Sequence, residues 1–123
     1  MSISPRLLGL AFASADTLIE IDVDGRVVMA IGAGPVSGID PGTTWVGRPL
    51  TSLLGKASAV VLTDALAKLQ PGVRCPAVDV VVVCDKDHVR RARLRIFLLP
   101  EIAPAVSCAL TYEGTALALA VPQ

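Results

Sequence analysis

The sequence predicts an α+β domain: a five-stranded antiparallel sheet with short helices and one longer helix packed on one face, preceded by an N-terminal helix. Three observations predict it. A period-two run around Asp24-Gly25 marks a hairpin. A helix-period run covers Lys56 to Gln70. Three strand-like runs follow between Pro76 and Tyr112. Helices grouped between two strand sets belong on one face of an antiparallel sheet. The expected organisation is an N-terminal helix over 1–15, a domain over 16–113 and a C-terminal connector over 114–123.

Composition narrows the function classes. A chain of 123 residues fits one domain and buries a real core. Eleven basic residues balance eleven acidic ones, so there is no electrostatic footprint for nucleic acid. One Trp, one Tyr and two Phe are too few for a base-stacking platform. The apolar fraction is 53%, yet no run reaches the ~18 residues a membrane helix needs. Surplus apolar surface on a small domain points to a partner, a ligand cavity or both. Cys75, Cys84 and Cys108 are odd in number and lack Cys-x-x-Cys spacing, which argues against a zinc site or a disulfide framework. They read as reduced core cysteines of a cytosolic protein.

At the N-terminus, Arg6 precedes the apolar run Leu7 to Phe12, and Ala13-Ser14-Ala15 has the form of a signal-peptidase site. The run is short and holds Gly9. A helix with Pro5 in its first turn is preferred, because a strand starts directly afterwards. Thr17 to Val23 alternates, with Ile19, Ile21 and Val23 on one face and Leu18, Glu20 and Asp22 on the other. Asp24-Gly25 supplies a tight turn with two positive-φ positions, and Arg26 to Ile31 returns. Gly32 to Thr44, with four glycines and two prolines, reads as a loop.

A short helical piece over 48–54 leads into the long helix. There Ala57, Val60, Val61, Ala65 and Leu69 form the apolar stripe, and Ser58, Asp64 and Lys68 the wetter side. Pro71-Gly72 stops it. The four consecutive valines within Pro76 to Cys84 suit a strand buried on both faces. Asp85-Lys86-Asp87 turns the chain. His88 to Leu99 returns with Ala92, Leu94, Ile96 and Leu98 on one face and Arg91, Arg93, Arg95 and Phe97 on the other. Ala105 to Tyr112 is the fifth strand. Thr115 to Val121 is either an extra strand or the start of a connector.

This order, with its punctuation, resembles the PAS sensor family from about Asp16 to Glu113. Ala15 to Val28, with Asp24-Gly25 at its turn, is similar to the family's opening hairpin. Trp45-Val46-Gly47-Arg48-Pro49-Leu50 resembles its hydrophobic-Gly-Arg-Pro-hydrophobic helical lead-in. Leu66 to Gly72 resembles the end of its long helix, and Asp85 to Leu99 its pair of long strands. The resemblance implies a cavity between helices and concave sheet face, lined by Trp45, Val61 and Ala65 from the helices and by Leu94, Ile96 and Cys108 from the sheet. A ligand there is small and mostly apolar. Alternatively, side chains close the cavity and leave dimerisation as the role.

Two cofactors are disfavoured. Flavin-binding members carry a reactive cysteine in the helical region, and no cysteine occurs between Met1 and Arg74. Haem-binding members use a histidine there, and the sole histidine, His88, sits at a hairpin edge. Gly32 to Gly38 lacks Gly-x-Gly-x-x-Gly spacing, and Pro35 removes an amide donor, so it is no phosphate cradle. Asp85 to His88 are ordinary turn residues rather than metal ligands. Arg91, Arg93 and Arg95 project from one strand face, either as a partner- or anion-binding surface or as a solvated face paired with acids.

The expected function is a sensory and dimerisation module without enzymatic activity. It is expected to be cytoplasmic and homodimeric, and to be the N-terminal piece of a larger bacterial signalling protein. Its output domain would be a kinase or a cyclic-dinucleotide enzyme. The alternatives are a small standalone enzyme using His88 as an acid–base group, and an interaction module with no ligand.

Overall fold

The computed structural model describes residues 5–118. Residues 1–4 of the expected N-terminal helix and 119–123 of the expected final segment lie outside the described residues. The architecture is α+β, with a six-stranded antiparallel sheet and few helices. The strands are β1 (Thr17–Ile21), β2 (Val27–Gly32), β3 (Val78–Val83), β4 (His88–Phe97), β5 (Val106–Tyr112) and β6 (Leu117–Ala118). Their order is β2-β1-β5-β4-β3, with β6 paired to β4. The helices are α1 (Pro5–Ser14), α2 (Pro41–Thr44) and α3 (Lys56–Ala67), with a 3-10 turn at Leu50–Leu53.

The opening hairpin departs from the expected two-residue turn. Gly25 alone takes positive φ, at 81°, and Asp24 does not. Asp22 builds the turn instead: its Oδ1 accepts from the N–H groups of Asp24 and Arg26, and its carbonyl accepts from Gly25. The register shifts between Glu20 and Ile21, as a bulge at a hairpin end does. Val23 belongs to this turn and is exposed, so it does not continue the Ile19–Ile21 face.

The period-two reading holds in the central strands. Ala30, Ile19, Cys108 and Ile96 line up across β2, β1, β5 and β4 in one buried row. Leu94 and Leu110 pair beside it. This face packs against Trp45, Leu50, Leu53 and Leu62 in one core. Arg91, Arg93 and Arg95 stand exposed on the opposite face. Arg93 Nε lies 3.7 Å from Asp79 Oδ1; an exposed pair of this kind contributes little.

Four other expectations change. The sheet has a sixth strand, because Leu117–Ala118 adds to the start of β4. β3 is an edge strand; only Val80 and Val82 are fully buried, while Val81 and Val83 are half-buried outward. Its valine run reflects a sheet edge covered by the helical lead-in, where Leu54 bridges to Val82 and Gly55 N donates to Val81 O (2.9 Å). The loop before Trp45 holds α2, started by Pro41 and capped by Asp40, whose carboxylate accepts from Gly42 N.

The fourth change is the phase of α3. The helix ends at Ala67, with Lys68 as C-cap, three residues before Gln70. Its inward stripe is Ser58, Leu62, Ala65 and Leu66, and Leu69 packs on the same core just past its end. Ala57, Val60 and Val61 are exposed. Ser58, expected on the wet side, is 7% exposed, and its Oγ accepts from Val81 N at 2.8 Å. A buried edge-strand donor selects this serine, since an unpaired N–H costs about 1–3 kcal/mol. Asp64 does face water, paired with Lys68 at 3.1 Å.

Candidate functional site

A half-open cleft of about 350 Å³ lies between the helical lead-in and the turn from β3 to β4. Ile39, Trp45 and Leu53 form one side, Val83 and Cys84 the other, and Arg48 and Lys86 stand on its rim. Thr44, Ser52 and Asp85 complete it. That volume is within the usual range for small-molecule sites.

Local sequence explains how the lead-in is set. Trp45 closes α2, its N–H donating to Pro41 O (3.0 Å). Gly47 then takes φ 89°, a conformation that glycine adopts freely. This lets Gly47 N donate to Val27 O (2.7 Å) while Val27 N donates to Arg48 O (2.9 Å). Pro49 restricts Arg48 to extended backbone and then opens the 3-10 turn as its N-cap. The backbone of Gly-Arg-Pro is thus laced to the start of β2, and the Arg48 side chain is left at the surface.

The polar groups of the cleft are unevenly satisfied. Thr44 Oγ1 donates to Asp40 O (2.7 Å), and Ser52 Oγ to Pro49 O (2.6 Å). Asp85 accepts from Asp87 N at 2.7 Å, and His88 Nδ1 lies 3.0 Å from the same oxygen. The Asp87 N–H first, and His88 second, hold the Asp85 carboxyl below its ordinary range. Burial, aided by Asp85, raises the Cys84 thiol, which keeps it neutral. Among the described residues the side chains of Arg48 and Lys86 make no hydrogen bond or ion pair. Trp45 is 3% exposed, and its indole N–H has no partner among the described residues either. Arg90 Nε is the one buried, unpartnered side-chain nitrogen or oxygen that stands out among the described residues.

A second cluster adjoins the first. Arg90 Nη1 donates to Pro35 O (2.8 Å) and Nη2 to Gly114 O (2.7 Å). Its guanidinium lies 5.0 Å from the Tyr112 ring centroid. Tyr112 Oη lies 2.8 Å from Thr17 Oγ1, and both contact Ala33 O. Burial outweighs the Thr17 hydrogen bond and pushes the Tyr112 phenol up to about 12.

The expected lining residues divide. Trp45 faces both core and cleft. Leu94, Ile96 and Cys108 are spent on the core, where burial pushes the Cys108 thiol up to about 12. Ala65 packs against that core. Val61 is 40% exposed and does not line the cleft with Trp45. His88 is exposed at the turn. Among the described residues no three His, Cys, Asp or Glu side chains gather to hold a metal. Sequence reasoning missed Ile39, Cys84 and Lys86, and treated Arg48 only as part of a motif. The signal for Arg48 was its place beside Pro49.

No protein-family model matches the chain, and no curated protein matches it. No helix among the described residues is long and apolar enough to cross a membrane.

Proposed function

We propose that this chain is a PAS-like sensory and dimerisation module without enzymatic activity. It binds a small molecule and relays its state to a covalently linked output domain, a kinase or a cyclic-dinucleotide enzyme. The order of two strands, short helices, a longer helix and three strands supports the PAS-like reading.

One observation carries the relay. The turn between β3 and β4 supplies Val83, Cys84, Asp85 and Lys86 to the cleft. Directly after it, His88 and Val89 pair with β6, and Arg90 holds Gly114. A ligand that prefers one arrangement of this turn therefore shifts the C-terminal segment as well. The proposed homodimer would cover Leu10 of α1, which is 68% exposed in the single chain.

Native mass spectrometry of protein purified from its own host, run beside a denatured sample, tests this reading. The expected result is a small-molecule mass lost on denaturation, with altered hydrogen exchange at Val89 and Leu117 once it is gone. A dimer without extra mass shifts the role to a dimerising relay. A monomer with no extra mass overturns the proposal.

A further inference from the structure

We infer that the cleft beside Trp45 takes a small organic monoanion, with an apolar body against Ile39, Trp45, Leu53 and Val83 and a carboxylate held by Arg48 and Lys86. This rests on the sensory reading and adds the class of ligand.

The reasoning is a count of donors and acceptors. Trp, Arg and Lys side chains donate and do not accept. In this cleft one of each is without a partner among the described residues, while both hydroxyl hydrogens are committed to backbone carbonyls. The one carboxylate, Asp85, is already engaged by Asp87 and His88. The cleft thus carries two cationic side chains with unused donors, and what completes it is an acceptor. Trp45 itself is 3% exposed and lines the cleft, so its indole ring adds a flat apolar wall close to the two cations.

Charge sets the valence. Arg48 and Lys86 against Asp85 leave one positive charge, which a monoanion neutralises. The planar guanidinium fork matches a carboxylate in a bidentate manner. The apolar wall sets the body. A volume of about 350 Å³ holds roughly a dozen waters, room for a small aromatic or aliphatic acid.

Trp45 is the chain's single tryptophan, so its indole NMR signal and its emission report on this cleft alone. The full chain is titrated with benzoate, indole-3-acetate and octanoate, and with the corresponding neutral amides. At least one acid is expected to shift the indole signal saturably, with its amide about tenfold or more weaker. Arg48→Gln combined with Lys86→Gln is expected to weaken that acid by about 10- to 100-fold. The double variant should fold, because only the backbone of Arg48 supports β2. No shift with any acid, equal binding of acid and amide, or unchanged affinity in the double variant each overturns the anion site. The backbone amides of Val89, Gly114 and Leu117 read the relay separately. If the indole shifts and these do not, the anion site stands and the sensory reading falls. If a neutral host ligand seats on Trp45, the sensory reading stands and the anion site falls.

Discussion

Leu62 and Trp45 both point at the same sheet, but their surroundings differ. Leu62 is 0% exposed, and beside it Ser58 meets the one donor that needs it, Val81 N–H. Trp45 has one flank in that core and another on a cleft where Arg48 and Lys86 await acceptors. The first region is complete without a ligand. The second is chemically unfinished. Apolar content does not tell a stabilising region from a binding one here; the balance of donors and acceptors does.

The largest effect expected is for Leu62→Ala, which should cost about 2–5 kcal/mol in a urea or guanidinium titration. A loss below about 1 kcal/mol would mean the interior under α3 is loosely filled and itself fit for a ligand. Ser58→Ala should cost about 1–3 kcal/mol, since it strands a buried N–H. A neutral result would show that Val81 finds water, and the contrast between the two regions would weaken.

Alkaline pH probes the interior differently. Burial raises the Cys108 thiol from 9.0 to about 12. The unfolded chain therefore loses this proton first, so the contribution is complete below pH 9 and is lost as pH climbs through 12. Cys108's share of the slope should approach ~1.4 kcal/mol per pH unit and vanish in Cys108→Ala, leaving the share that Tyr112, also raised to about 12, adds above pH 10, read as the urea midpoint against pH. Identical slopes would place Cys108 in contact with water. The smallest effect is for Val61→Ala, expected to stay within about 0.5 kcal/mol because the side chain is already exposed. A large loss there would require α3 to be turned about its axis.

These contrasts show what was legible in the sequence. Central strands such as β4 and β5 were readable because burial on one face enforces period two, so the rows through Leu94, Ile96 and Cys108 could be placed. The phase of α3 was not, because a sequence such as Ala57 to Leu69 carries apolar residues most of the way round. The deciding contact, Ser58 to Val81, joins residues far apart in sequence. The valines of β3 misled because an edge strand covered by the lead-in is as apolar as a central one. The cleft was only half visible: Trp45 and the Gly47-Arg48-Pro49 break could be read, but Lys86 and Cys84 arrive from a turn that looks like any other turn.

The short ladder of β6 has a mechanical consequence. Among the described residues two rungs, His88 to Ala118 and Val89 to Leu117, fasten this strand to the sheet. A pull on the chain beyond Ala118 loads them one at a time, as a zipper is opened, whereas β4 and β5 share six rungs. The strand should peel away long before the sheet yields, until the load reaches the Arg90 contact at Gly114. Tension or torque applied there would be taken up by a breakable link, and the rest of the molecule would be spared.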